Sequence, residues 1–220
     1  MTAFLRQTDS TAQAGNTKAT RADWLRVALD ALVSDGVDQV KVLTLGERLG
    51  VSRSSFYWYF RSRQDLLDHL LAHWQETNTA AIVRLSERPA PTIGAAVCNV
   101  FRAMIDPSHF NNPLDFAVRD WARRSGKVRL VLDQSDRARI GAIAAMFARY
   151  DYGDTEALVR ARVLYYMQIG YNDADLHEPM EDRLSQVPDY LLTFTGRPAE
   201  PGDMTELEAL AKRLMREKRP

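Results

Sequence analysis

Residues 51–60, VSRSSFYWYF, end in five consecutive aromatic side chains, Phe56–Phe60. Successive residues of a helix point about 100° apart, so a single core cannot accommodate all five rings. Some of these rings must face something other than their own chain. The surrounding sequence indicates what that is.

The residues before this run predict a helix-turn-helix. A first helix over 43–49 ends at Gly50, and Ser52 can cap a second helix over 53–60. Two short helices joined by such a tight turn place the second where it can enter the DNA major groove. The apolar side chains expected to hold this motif against a preceding helix are Leu45, Leu49, Val51, Phe56 and Phe60.

The charge of this segment differs from that of the whole chain. With 29 basic and 29 acidic residues the net charge is zero, which gives no global attraction to nucleic acid. Residues 52–63, however, contain Arg53, Arg61 and Arg63 and no acid. Arg63 also lies at the start of the next helix, where free backbone N–H groups favour a phosphate.

The rest of the chain predicts helices only. A capping-box spacing, Thr20 to Asp23, begins a first helix that Gly36 ends, and a longer helix runs from 63 to about 85. Further helical periods fit 93–105, 113–124, 127–150, 154–172, 183–195 and 204–217. We therefore predict an all-α protein with an N-terminal three-helix helix-turn-helix head and a larger helical bundle. The predicted divisions are a disordered arm over 1–19, the head over 20–65 and the bundle over 66–220.

Composition is that of a soluble globular protein, with 45% hydrophobic and 26% charged residues. The single cysteine, Cys98, lies in an apolar run and predicts a buried structural thiol in a reducing compartment. No apolar run approaches the length of a membrane span, and the N-terminus has no signal-peptide layout. We expect a cytoplasmic protein that does not associate with membranes.

The run LTLGERLGVSRSSFYWYFRSRQDLLDHLL, within a match over about 20–75, resembles the DNA-binding head of the tetracycline-repressor (TetR) family of bacterial transcriptional regulators. The resemblance implies a sequence-specific DNA-binding regulator, a repressor that a small-molecule effector releases from its operator. Val42 stands where the family often has a hydroxyl residue, and Gly46 where a small helix former is usual, at a cost of about 1 kcal/mol. The expected DNA contacts are Thr44, Arg53, Ser54, Ser55, Tyr57, Trp58, Tyr59 and Arg63.

The helix over 154–172 carries apolar residues on two faces. One face has Val159, Val163, Tyr166 and Gly170, and the other has Leu158, Tyr165 and Ile169. Burial on both faces requires a core on one side and a partner subunit on the other. We expect a homodimer that binds an inverted-repeat operator in double-stranded DNA, and the resemblance implies an effector pocket in the bundle. Its candidate lining residues, each also compatible with plain core packing, are Phe101, Met104, Ile105, Phe116, Trp121, Phe147, Tyr165 and Met167, with Arg119, His109 or Gln168 as polar anchors.

Two other classes of protein stay open at this point. His69 and His73 have the i, i+4 spacing of helical zinc sites, which would suit a metal-dependent enzyme, but no glutamate follows the first histidine. A DNA-binding architectural protein without an effector is the second alternative. The acidic pair Asp133 and Asp136 is interpreted as a solvated face. We expect no catalytic residue, no metal and no cofactor.

Overall fold

The computed structural model describes residues 19–174, 176 and 178–217. Almost all of the predicted arm lies outside these residues. Within them every regular element is helical, as predicted. The α-helices are α1 Arg21–Asp35, α2 Val42–Leu49, α3 Arg63–Trp74, α4 Ala80–Glu87, α5 Ile93–Ile105, α6 Asn112–Arg124, α7 Gly126–Ala148, α8 Asp154–Asp173, α9 Met180–Thr195 and α10 Thr205–Glu217.

The head begins with the predicted capping box. The backbone N–H of Asp23 donates to Thr20 Oγ1 at 3.2 Å, and the backbone N–H of Thr20 donates to Asp23 Oδ2 at 2.9 Å. These two bonds satisfy donors that the first turn of a helix leaves free. Helix α1 then buries Trp24 and its apolar face against the helix-turn-helix.

The second helix of the motif is shorter and tighter than predicted. It is a 3₁₀ helix over Arg53–Trp58, which we call the recognition segment, instead of an α-helix over 53–60. Its backbone hydrogen bonds run from the N–H of residue i+3 to the carbonyl oxygen of residue i. Examples are Ser55 N–H to Ser52 O at 3.1 Å and Tyr59 N–H to Phe56 O at 3.0 Å. At six residues this 3₁₀ helix is longer than most, since runs of more than three or four residues are uncommon.

Gly46 is explained by the close approach of the turn. A Cβ at this position would lie 3.1 Å from the carbonyl oxygen of Val51 and 3.5 Å from the Trp24 ring. The glycine therefore lets the turn pack tightly against α2 and α1, and this packing offsets the lower helix propensity noted from the sequence.

The predicted long helix from 63 to 85 is α3 and α4 joined by one π turn, Gln75–Thr79. Asn78 is fully buried in this turn. Its Nδ2 donates to the carbonyl oxygen of Asn111 at 2.8 Å, and the backbone N–H of Asn111 donates to Asn78 Oδ1 at 3.1 Å. The π turn is thus held to the start of α6.

Two apolar cores fill the described part of the molecule. The head core, built on α1, α2, the recognition segment and α3, continues into α6 and the start of α7 through Leu114, Val118, Trp121 and Val128. The bundle core lies among α4, α5, α7, α8, α9 and α10. It includes Cys98, where burial raises the pKa of the thiol to about 12, as a buried structural thiol requires.

Gly94 should be intolerant of a side chain, because a Cβ there would overlap the carboxylate of Asp203. That carboxylate accepts bonds from the Thr92 hydroxyl and, at 2.8 Å, from the backbone N–H of Glu200. We expect Gly94→Ala to destabilise the protein by about 1–3 kcal/mol, since both bonds must be disturbed. Chemical denaturation measures this.

The matched control is Gly141→Ala in the interior of α7, where a Cβ would meet nothing within 4 Å. This substitution should stabilise the protein by about 0.5–1 kcal/mol through helix propensity. Equal effects of the two variants would contradict the packing described for Gly94.

Candidate DNA interface and effector cavities

The five consecutive rings divide between the interior and the surface. Phe56 and Phe60 are buried, with ring centroids 5.2 Å apart, and Phe56 also meets the Trp24 ring edge-on. Tyr57 and Trp58 are 49% and 63% exposed, and Tyr59 is half-buried at the rim. The head therefore presents two large rings outward from the segment that a helix-turn-helix places in the major groove.

Arg53 and Tyr57 form a pair on the exposed side of the recognition segment. Arg53 Nη2 donates to the Tyr57 hydroxyl at 3.1 Å, and its guanidinium carbon lies 5.9 Å from the centroid of that ring. Among the described residues no other group accepts from Arg53, so its remaining N–H groups can make the paired bonds that guanine accepts. Ser54 is exposed beside them, 2.8 Å from the hydroxyl of Ser52.

The recognition segment borders a concave basic surface. Eight residues, all in the described part of the chain, line it, and none of them is acidic. We call this surface the basic concavity; its four cationic residues are Lys41, Arg53, Arg61 and Arg63. A concave surface of one charge concentrates counter-ions and suits the phosphates of a duplex.

Two of the predicted DNA contacts have structural roles. Ser55 is buried, and its hydroxyl donates to Ser52 O at 2.8 Å, so we remove it from the proposed contact set. Arg63 donates through Nε to Val40 O and through Nη2 to Val37 O, both at 2.6 Å. Arg63 thereby fixes the linker between α1 and α2, and only its remaining N–H groups can reach a phosphate. Thr44 is half-buried.

Helix α8 has two apolar faces, but its inward face differs from the predicted one. Of Leu158, Tyr165 and Ile169, only Tyr165 is buried, and Leu158 is 38% exposed. Ala157, Ala161, Leu164 and Tyr165 are buried against the bundle. On the opposite side Val159, Val163 and Tyr166 are each about half exposed, and we call these three residues the α8 stripe. Large apolar side chains in a row at helical spacing are typical of an interface.

Two cavities lie among the buried helices of the described bundle. The wider of them, which we call the large cavity, has a volume of about 50 Å³ and lies mainly between α5, α8 and α9. The narrow cavity has a volume of about 10 Å³ and lies among α4, α5, α6, α7 and α8. Gln168 lines both. Of the predicted lining residues, Phe101, Ile105 and Met167 line the large cavity, and Met104, Phe116 and Tyr165 line the narrow one.

The other predicted pocket residues lie elsewhere, and we remove them from the proposed lining set. Trp121 belongs to the head core, and Phe147 packs edge-on against Tyr152 in the bundle core. His109 contacts Asp106 near the surface. Arg119 is engaged by carboxylates, as described below.

A sequence profile of the bacterial regulatory proteins of the tetR family matches residues 25–70. The chain is 41% identical over 64 residues to the tetracycline repressor protein class A from transposon 1721 of Escherichia coli. It is 26% identical over 175 residues to the tetracycline repressor protein class C of Escherichia coli, covering 76% of this chain and 74% of that protein. Over residues 25–70 the chain therefore matches the TetR family.

The comparisons differ in extent. The class A match covers 29% of this chain and 30% of that repressor's length, and the family profile matches residues 25–70, within the head. The structure of Salmonella enterica GusR shares the fold over 87% of this chain and 95% of its own, with a TM-score of 0.59 and 16% sequence identity. The head is thus the part most similar in sequence, whereas the bundle is similar in fold.

A buried ionic network in the bundle was not predicted from the sequence. Arg139 is fully buried, and its Nη1 donates to Asp115 Oδ1 at 3.0 Å and to the Tyr165 hydroxyl at 3.1 Å. Arg119 donates to Asp115 Oδ2 at 2.9 Å and to Asp136 Oδ1 at 2.9 Å. Asp136 is therefore an ion-pair partner and not a solvated residue. We call these five residues the Arg139 network.

Asp115 is the most enclosed carboxylate of the network. Burial by itself raises the pKa of Asp115, but the guanidinium groups of Arg139 and Arg119 and the hydrogen bond from Trp74 Nε1 more than offset it, so the pKa lies below its usual value. Burial raises the pKa of the Tyr165 phenol. Asp115 is consequently an anion and Tyr165 a neutral donor to Asp136 at 2.6 Å.

The alternative metal site receives no support from the geometry. His69 Nδ1 lies 2.7 Å from the carbonyl oxygen of Asp65, which occupies that ring nitrogen. Within the described ranges no group of three or more His, Cys, Asp or Glu side chains is placed to hold a metal ion. None of the helices in those ranges has both the length and the apolar composition needed to cross a membrane.

Proposed function

We propose that this protein is a dimeric, cytoplasmic transcriptional repressor that binds an inverted-repeat operator and leaves it when a small molecule occupies the bundle. The observation that carries this proposal is the outward-facing pair of Arg53 and Tyr57 beside the basic concavity. A neutral chain can bind DNA only through such a local surface. The relatives named tetracycline repressor support the repressive mode.

Dimerisation is supported by the α8 stripe. Two copies related by a two-fold axis would bury the same apolar residues of each chain against one another. The same axis would place the two heads so that each reads one half of an inverted repeat. The two cavities, which lie on the other side of α8, supply the space for an effector.

The test selects DNA fragments that the purified protein binds from a random pool and then screens metabolites for release. A selected site made of two inverted half-sites, from which one class of compound displaces the protein, is the expected result. An asymmetric site would contradict the dimer. Release by no compound would favour the architectural protein without an effector.

Arg53→Ala should weaken binding to the selected operator by about 1–3 kcal/mol and relax the preference for one base pair in each half-site. Arg61→Ala should instead weaken binding to all DNA sequences alike. It should also reduce the slope of log affinity against log salt by about one unit, because the Arg61 side chain that neutralises a phosphate is lost. Fluorescence titrations at several salt concentrations measure both effects.

Arg26→Ala is the control for this pair. Arg26 is an exposed arginine of α1 that does not line the basic concavity. Its removal should leave both affinity and salt slope unchanged. If Arg53→Ala and Arg61→Ala behaved like this control, the assignment of the DNA-binding face would be wrong.

A further inference from the structure

One donor of the Arg139 network has no acceptor. Nε of Arg139 donates to Thr79 Oγ1 at 3.1 Å and Nη1 donates to Asp115 and Tyr165, but no group among the described residues accepts from the buried Nη2. A buried N–H group without a partner costs about 1–3 kcal/mol. Arg139 also lines the narrow cavity, so an occupant of that cavity can supply the acceptor.

The charges around this donor are already balanced. The network contains two guanidinium groups, Arg119 and Arg139, and two carboxylates, Asp115 and Asp136, joined at 2.9 to 3.0 Å. Tyr165 adds no charge. An anionic occupant would therefore bring an unbalanced charge into a buried site, which costs several kcal/mol. An uncharged oxygen acceptor satisfies Arg139 without that cost.

The neighbouring cavity determines the rest of the occupant. The narrow cavity holds little more than a group the size of a water molecule, whereas the large cavity is roomier and mostly apolar in its lining. Gln168 is the common wall of the two cavities, and no described residue hydrogen bonds its amide. A molecule in the large cavity that displaced the Gln168 side chain would reach the narrow cavity, which Arg139 also lines.

We propose that the effector is a largely apolar molecule with an uncharged oxygen acceptor at one end, such as a ketone, which lies in the large cavity and accepts a hydrogen bond from Arg139 Nη2. This proposal rests on the proposed function, because it assigns a chemical class to the effector. The bond also connects the effector to the head: the Arg139 guanidinium lies 4.9 Å from the Trp74 ring, at the end of α3.

A second arginine, in the large cavity, would favour a different class of ligand. Arg183 lines that cavity, and its guanidinium lies 4.8 Å from the centroid of the Tyr171 ring. A ligand held by Arg183 would be an anion. The experiment must therefore compare a neutral acceptor, an anion and a plain hydrocarbon of similar size.

The probes are acetophenone, benzoate and ethylbenzene, each titrated into the free protein without DNA and followed by calorimetry. Acetophenone should bind at least about tenfold more tightly than benzoate or ethylbenzene. This ratio corresponds to a difference in binding free energy of about 1.4 kcal/mol, which is what one hydrogen bond to a buried donor is expected to contribute. In protein with ¹⁵N-labelled arginine, acetophenone and not ethylbenzene should shift the side-chain Nη resonances of Arg139. This second measurement requires no variant.

Arg139→Lys keeps the charge but removes Nη2, and should reduce the preference for acetophenone over ethylbenzene to within about threefold. Arg137→Lys, an exposed residue of the same helix, is the control and should change nothing. A preference for benzoate that disappears in Arg183→Gln would overturn the proposal in favour of an anionic effector. Equal binding of acetophenone and ethylbenzene, or binding of none of the three, would also overturn it.

The two proposals fail separately. If acetophenone binds at Arg139 but no compound of its class changes operator binding, the assigned site stands and the proposed release mechanism fails. If the protein is released from its operator by compounds that do not shift Arg139, the proposed function stands and this inference fails.

Discussion

Replacing Arg139 by methionine should lower the free energy of unfolding by about 3–5 kcal/mol. Methionine fills much of the same volume, so the main effect is electrostatic: Asp115 loses one of the two guanidinium groups that hold it as a buried anion. Removing one partner of a buried ion pair leaves an uncompensated charge, and this penalty exceeds the net value of the pair itself. Denaturant titration at a fixed protein concentration gives the difference, because the stability of a dimer depends on concentration.

A double-variant cycle separates this effect from lost packing. Asp115→Asn removes the charge while Trp74 Nε1 can still donate to the remaining carbonyl oxygen. The combination of Asp115→Asn with Arg139→Met should therefore cost at least about 1.5 kcal/mol less than the sum of the single changes. Arg137→Met, at an exposed position of the same helix, should stay within about 0.5 kcal/mol of the parent. Strict additivity would show that the two residues do not interact.

The same cycle should alter the response to acid. The pKa of Asp115 lies below its ordinary value of 3.8 in the folded protein, so its contribution to stability is fully present above that value and is lost as the pH falls through the folded pKa. The parent should lose stability steeply below about pH 4, and the double variant less steeply. Melting temperatures between pH 3 and pH 7 measure the two slopes.

Val163→Asp should convert the dimer to a monomer and reduce operator affinity at least about a hundredfold. Val163 is the middle residue of the α8 stripe, and a two-fold interface would place two new carboxylates in an apolar environment, where each costs several kcal/mol. A monomer binds one half-site and loses the gain of simultaneous engagement, which is about 10²–10⁴ in comparable bivalent systems. Sedimentation equilibrium and operator titration report the two consequences independently.

Leu130→Asp is the matched control, since Leu130 is at least as exposed as Val163 but lies on α7 and outside the α8 stripe. It should remain dimeric and bind the operator normally, with an unchanged melting temperature. A Val163→Asp protein that was still dimeric would remove α8 from the interface, whereas one that was unfolded would show that the side chain supports the bundle itself.

The head could be predicted closely because its signals are local. A capping box, a left-handed glycine at the end of α2 and an acid-free basic run each act over a few residues, and the structure contains all three. The division of the aromatic rings between the interior and the surface also follows from the backbone, since Phe56 and Phe60 lie on the same side of it. The contacts that the sequence did not predict occur where a side chain bonds a residue far away along the chain. Arg63 bonds carbonyls that are 23 and 26 residues away, which no local pattern reveals.

The sequence predicted the helices of the bundle but not the partners of its buried charged side chains. The spacing of apolar residues predicts where each helix begins and ends, because any helix that packs on a core needs this spacing, whichever helix lies opposite. The partners of a buried charge depend on that opposite helix, so Arg139 and Asp115 could not be paired from the sequence. A signal did exist: Arg139 lies in phase with Leu132, Ile143 and Met146 on the buried side of α7, where a charge requires a partner.

The π turn between α3 and α4 determines the orientation of the whole head. An α-helix advances about 100° per residue, so a one-residue deletion that rewound Gln75–Thr79 into α-helix would rotate everything before it by about that angle about the helix axis. Contacts among α1, α2, the recognition segment and α3 would survive this rotation, whereas their contacts with α6 and α7 would have to form anew. In a dimer the two recognition segments would then point to different sides of the duplex. Insertions and deletions at this single turn, unlike those in the surface loops, therefore alter the spacing of half-sites that a descendant of this protein can read.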